Sequence, residues 1–294
     1  MGRNPIFTGV ATALVTPMNE SGVAYESFGR LIDWQIASGV NALAVCVTTG
    51  EAPTLTDNEH VKILEFAVKR AQGRVPIIAG TGSNDTQHAM MMTQYACAIG
   101  ASAVLCVTPY YNKPTQTGLI KSYTAIADAS TVPVILYNVP GRTGVNIEPE
   151  TYGVLADHPN ICAIKEANGN IAKIVDTFRI VGDRLDIYSG NDDQIVPILS
   201  MGGKGVISVL SDVCPAETVE LCNRFFRGDI KGAAELQMKY MPLIKALFSQ
   251  TNPIPAKAAL ARMGYCKDYL RLPLTSMEEP YRSALYKEMD KLGL

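Results

Sequence analysis

The strongest constraint on this chain is an alternation. Eight short β-rich runs recur along it: "GVATALVTP" (9–17), "ALAVCVTTG" (42–50), "VPIIAGTG" (75–82), "AVLCVTPYY" (103–111), "VPVILYNVP" (132–140), "ICAIKEA" (161–167), "LDIYSGND" (185–192) and "GVISVLSD" (205–212). Longer stretches with helical spacing separate them. In "YESFGRLIDWQIASG" (25–39), Phe28, Leu31, Ile32 and Ile36 share a face, and Gly39 is placed like a C-cap. The stretch "NEHVKILEFAVKRAQG" (58–73) is preceded by a start signal in "TDNE" (56–59). Near-continuous apolar strands alternating with helices mean a parallel sheet covered by those helices. Eight such units predict an α/β fold of the (β/α)8 TIM-barrel type rather than a doubly wound sheet. The glycines agree: "GTGSND" lacks the third Gly of a dinucleotide fingerprint, and "MGGKG" is not a Walker loop. Beyond about 215 the chain reads as helices only, more than a barrel needs to close. The expected organisation is a catalytic barrel over 1–225 and a C-terminal helical domain over 226–294.

Composition bounds the function. Hydrophobic residues make up 47% of the 294 and charged ones 18%, enough for a large core and too apolar for disorder. A formal charge of -2, with Lys and Arg scattered, argues against nucleic acid or an anionic membrane as partner. The longest apolar runs fall far short of the roughly 20 residues that span a bilayer. "MGRNPI" lacks the Ser or Thr of a myristoylation signal, and no apolar region precedes the "ATA" of the first strand run. The seven cysteines include no C-x-x-C, and Cys46, Cys106 and Cys162 sit inside apolar strand-like runs, so the cysteines read as small buried hydrophobes of a cytoplasmic protein. With three scattered histidines, no metal cluster or cofactor is called for.

In such barrels the site lies at the C-terminal ends of the strands. Read in order, those ends carry Thr16, Thr48-Thr49-Gly50-Glu51, Tyr110-Tyr111-Asn112, Tyr137-Asn138 with Arg142, Lys165-Glu166 and Ser189-Gly190-Asn191-Asp192. The ring offers hydroxyls, phenols, one guanidinium and one amine. Lys165 ends a run that reads as buried, and burial lowers a lysine pKa and supplies the neutral amine that attacks a ketone to form a Schiff base. Glu166, next in the strand, points to the other face. Tyrosine protons fit a relay, and the planar fork of Arg142 fits a substrate carboxylate. Singly each feature has an ordinary reading: a snorkelling lysine, loop packing of Tyr110-Tyr111, a solvated Arg142, a capping Thr48. Together on one rim they favour a lysine-dependent aldolase or lyase.

The motifs "TTGE", "TPYYNKPTQ", "LYNVPGRTG", "AIKEA", "YSGND" and "GVISV", in this order from "GVATALVTP" to "NPIPAKAAL" (252–260), resemble those of the dihydrodipicolinate synthases. The resemblance implies condensation of pyruvate with aspartate 4-semialdehyde. By match of motif, Lys165 would form the Schiff base. Tyr137, Thr48 and Tyr111 would form the proton relay, Tyr111 reaching into a neighbouring subunit's site. The amides of Thr48 and Thr49 would hold the pyruvate carboxylate, Arg142 the semialdehyde carboxylate, and Gly190 and Ile207 would line the pocket. Self-association as a homodimer or homotetramer follows from that shared relay. The alternative within this fold is a pyruvate-dependent aldolase for a sugar acid such as N-acetylneuraminate, from which "PGRTG" distinguishes the chain. Lysine-inhibited members bind their inhibitor at positions matching Ala52, Pro53, Asp57, His60, Asn84, His88 and Tyr110. Sensitive members usually have His in place of Asp57 and Glu in place of His88. Losing that carboxylate predicts weak or absent lysine inhibition.

Overall fold

The computed structural model describes residues 4–294, so the reading of "MGRNPI" lies partly outside the described residues. Eight parallel strands close into a barrel in sequential order: β1 (Gly9–Ala13), β2 (Ala42–Val45), β3 (Ile77–Gly80), β4 (Ala103–Val107), β5 (Val134–Asn138), β6 (Ile161–Glu166), β7 (Asp186–Ser189) and β8 (Gly205–Ser208). β1 pairs with both β2 and β8 to complete the ring. At that seam a Cβ on Gly205 would lie 1.9 Å from the carbonyl oxygen of Gly9, so only glycine fits. Each strand is shorter than its apolar run, because the hydrogen-bonded ladder stops while the run continues into the loop. A two-stranded hairpin, Met18–Asn19 with Gly22–Val23, follows β1 and had no counterpart in the sequence reading.

Strand alternation sorts the barrel residues into two sets. Val10, Leu43, Val45, Ile77, Val104, Val134, Leu136, Ile164, Ile187 and Val206 pack outward against the helices. Ala11, Ala13, Ala42, Ala44, Ile78, Ala103, Leu105, Ile135, Ala163, Tyr188 and Ile207 form a separate inner cluster. Bulky residues outside make the helix interface; the many alanines inside leave room along the axis. Phe7, two residues before β1, stacks on Tyr188 with ring centroids 4.2 Å apart, and the Tyr188 hydroxyl donates to the Phe7 carbonyl at 2.7 Å. That pair fills the N-terminal end of the barrel.

The helices form where the pattern places them. Tyr25–Ala37 buries Phe28, Leu31 and Ile32, while Ile36 is only half-buried. Gly39 takes a φ of +88° just past its end. Asp57–Ala71 begins with a capping box between Thr56 and Glu59. Gln35, unexpectedly, is fully buried; its amide donates to the Ser211 carbonyl at 2.9 Å and its oxygen accepts from Thr12 at 2.7 Å. After Pro215–Phe226, three further helices, Ile230–Leu247, Ile254–Arg262 and Tyr281–Leu292, share their own apolar cluster of Tyr240, Leu243, Leu247, Ala258, Leu285 and Met289. All seven cysteines are free. Among the described residues no helix is long and apolar enough to cross a membrane.

Candidate active site

Lys165 reaches the barrel interior through an irregularity in β6. Against β5, Val134 pairs with Ile161 and Ile135 with Ala163, so the register slips by one residue at Cys162. In an unbroken strand Ile161, Ala163 and Lys165 would share one face. Here Ile161 packs outward and Ala163 inward, and the extra residue re-aims everything beyond it, as bulges do. Lys165 therefore stands beside Tyr137 in the ladder, its Nζ 4.3 Å from the centre of the tyrosine ring, with 4% of the residue exposed. Burial lowers its pKa from 10.5 to about 8; the carboxylates of Asp192 and Asp212 oppose the drop, and the charge of Arg142 reinforces it.

Glu166 faces away, as alternation requires. Its carboxylate accepts from Asn138 Nδ2 at 3.0 Å, the Tyr152 hydroxyl at 3.0 Å and the Asn168 amide at 2.9 Å, and burial pushes its pKa up to about 7. Burial also raises the Tyr137 phenol above its ordinary value, against the nearby Arg142 charge and a hydrogen bond with Thr48.

Thr48–Gly50 form a single 3-10 turn after β2, tied down by the Thr16 hydroxyl, which donates to the Gly50 carbonyl at 2.7 Å. Glu51 then takes a left-handed conformation, φ +56°, and its carboxylate meets Lys257 Nζ at 2.5 Å. Arg142 lies on the turn Pro140–Thr143, whose Thr143 hydroxyl accepts from Thr108 at 2.9 Å and donates to the Val145 carbonyl at 3.1 Å. A cleft of about 440 Å³ opens over this rim. Thr48, Tyr137 and Arg142 line it, together with Ala52, Pro53, Asp57, His60, His88 and Tyr110. Thr49, Lys165, Gly190 and Ile207 are not in its wall. Ile207 is fully buried in the inner cluster, and Gly190 packs so close to Ala167 that a Cβ would come within 2.7 Å of it.

Two expected residues stand apart. Tyr111 is 91% exposed, with φ +71°, a strained conformation for a bulky residue. Asn84 is outside the cleft wall and uses its carbonyl to accept from Asn112 at 2.9 Å. Of the others in that group, Asp57 is paired with His88 at 3.0 Å, and His60 is buried with Nε2 2.8 Å from the Gly80 carbonyl.

The fold also brings in residues to which the sequence reading gave no role. Asp192 receives the Ser208 hydroxyl at 2.5 Å and the Val209 and Leu210 amides at 3.0 and 2.9 Å. Asp212 receives the Val15 amide at 3.2 Å, and burial pushes its carboxyl well above the usual range. Asn252 donates to the Thr49 hydroxyl at 2.9 Å and its carbonyl accepts from Arg142 Nη2 at 3.2 Å. Asp192 was visible in "YSGND"; Asp212 and Asn252 carried no signal beyond their quoted runs.

A profile of the dihydrodipicolinate synthetase family matches residues 6–292. The chain belongs to that family. It is 50% identical over 291 residues to the 4-hydroxy-tetrahydrodipicolinate synthase of Lachnoclostridium phytofermentans, covering 98% of this chain and 99% of that one. A chloride-inhibited dihydrodipicolinate synthase from Acinetobacter baumannii, solved in complex with pyruvate, superposes with a TM-score of 0.95 at 41% identity over 97% of this chain and 99% of its own. A dihydrodipicolinate synthase described as the first monomeric variant gives 0.96 at 44% identity over 98% of each chain.

Proposed function

We propose that this chain is a 4-hydroxy-tetrahydrodipicolinate synthase, a lyase that condenses pyruvate with aspartate 4-semialdehyde through an imine on Lys165. The observation that carries the reading is the amine itself: nearly buried, against a tyrosine ring, with its pKa lowered to about 8. Such an amine is neutral often enough at pH 7 to attack the pyruvate carbonyl, and the site around it keeps water from an early hydrolysis of the imine. The protonated imine withdraws electrons, the methyl carbon loses a proton, and the resulting enamine attacks the aldehyde.

Thr48 and Tyr137, joined by their hydrogen bond, move the protons, with Tyr111 completing the relay from a neighbouring subunit. An exposed tyrosine in a strained backbone suits a side chain that finishes its contacts on another chain. Homodimer or homotetramer assembly is part of this reading. The Thr48 and Thr49 amides hold the pyruvate carboxylate, Arg142 holds the semialdehyde carboxylate, and Gly190 and Ile207 shape the space near the lysine. Arg142 on the cleft rim favours the semialdehyde over a sugar acid as second substrate.

Borohydride reduction with pyruvate, followed by intact mass and peptide mapping, tests the covalent step. A pyruvyl adduct on Lys165 is expected; folded protein with excess pyruvate and no adduct overturns the reading.

A further inference from the structure

We propose that Asn252 is a positioning residue through which the C-terminal helical extension sets the geometry of the substrate site. The inference rests on the proposed roles of Thr49 and Arg142. Asn252 lies outside the barrel, just before the helix Ile254–Arg262, and is buried. It touches both halves of the site in different ways. Its side-chain amide donates to the Thr49 hydroxyl at 2.9 Å, and its main-chain carbonyl accepts from Arg142 Nη2 at 3.2 Å. One residue thus joins the loop that receives pyruvate to the guanidinium that receives the second substrate.

The loop needs such an anchor. Thr48–Gly50 is one 3-10 turn of three residues, and turns this short are held by their surroundings. The same extension grips the turn again one residue on. Lys257, a turn along the helix from Pro253, meets the Glu51 carboxylate at 2.5 Å and donates to the Tyr269 carbonyl at 2.8 Å. The Arg271 amide donates to the other Glu51 oxygen at 3.1 Å, and its guanidinium donates to the Thr54 carbonyl at 2.8 Å. With Asn252 and Lys257 bracketing one helix turn, the extension clamps Thr49 and Glu51 from a single rigid element. Misplacement of a substrate group by about 1 Å can cost on the order of 100-fold in rate, so a clamp on this turn bears directly on the reaction.

The two contacts of Asn252 separate in an experiment. Thr49→Val is isosteric, keeps the Thr49 amide, and removes the bond to the Asn252 side chain while leaving the Asn252 carbonyl for Arg142. Asn252→Ala removes the same bond from the other end. For both variants we expect the pyruvate KM to rise at least fivefold, with the semialdehyde KM within twofold of the unsubstituted protein. In the double variant the effects do not multiply, because both act on one bond. A purely structural role would instead lower the thermal midpoint and leave both KM values unchanged, which overturns the proposal. If Asn252→Ala fails to fold, Thr49→Val decides alone, by the same KM split. Borohydride trapping on the unsubstituted protein is run alongside. No adduct there overturns the reading of the site and this inference with it. A normal adduct with an unchanged pyruvate KM in the variants overturns the positioning role only.

Discussion

Replacing Lys165 by Met makes the protein more stable at neutral pH while abolishing its chemistry. The argument starts from burial: with 4% of the residue exposed, the amine is held at a pKa of about 8 against 10.5 for an ordinary lysine. A lysine pKa depressed by folding means the unfolded chain binds more protons between those two values, so stability rises with pH across that window. Below pH 8 the wild-type protein carries the whole cost of a buried charge, about 3 kcal/mol at pH 7 from the linkage relation. By pH 9.5 the remaining cost is about 1 kcal/mol, again by linkage. Methionine has similar length and no charge to desolvate, so it escapes both. Urea titrations of the two proteins at pH 7 and pH 9.5 are expected to favour Lys165→Met by about 3 kcal/mol, shrinking to about 1 kcal/mol. No gain at pH 7, or a gain that does not shrink with pH, would falsify the claim that burial is what lowers the Lys165 pKa. The same variant must give no borohydride adduct with pyruvate.

Arg142→Ala is expected to keep adduct formation on Lys165 and raise the semialdehyde KM by roughly 10- to 150-fold, the worth of a charged hydrogen-bonding pair; unchanged semialdehyde turnover would remove Arg142 from the site. Lys257→Met should cost about 3–5 kcal/mol by stranding the Glu51 carboxylate, since the two side chains are 0% and 1% exposed. Adding Glu51→Leu should recover most of that stability, and chemical denaturation of the single and double variants measures both steps. Free lysine should half-inhibit only above about 1 mM, corresponding to about 4 kcal/mol of binding, because Asp57 is already paired with His88 in the cleft. Half-inhibition at lower lysine in a steady-state assay would refute this.

The barrel was legible because its signal is local and repeated: each strand is a short apolar run, and eight of them in alternation leave few other folds. Strand parity alone placed Glu166 on the face opposite Lys165, and its contacts with Asn138 and Tyr152 agree. Parity could not foresee the slip at Cys162, since a bulge depends on how β6 aligns with β5 rather than on its own residues. The long-range polar contacts were equally hidden. Gln35 reads as one polar position on a helix, yet it is buried against Ser211; Asn252 and Lys257 read as parts of a helical tail, yet they meet Thr49 and Glu51 about two hundred residues earlier in the chain. Such partners are chosen by the closed fold, and no spacing in the sequence announces them. Asn84 shows the same limit of a motif match: it says nothing of which way a loop turns, and here Asn84 lies outside the cleft wall.

The stacked pair of Phe7 and Tyr188 packs into the inner cluster on the side where β1 begins, whereas Arg142 lines the cleft beyond the end of β5. A fixed guanidinium on that rim favours the approach of anions, so added salt should slow capture of a carboxylate substrate more than that of a neutral one.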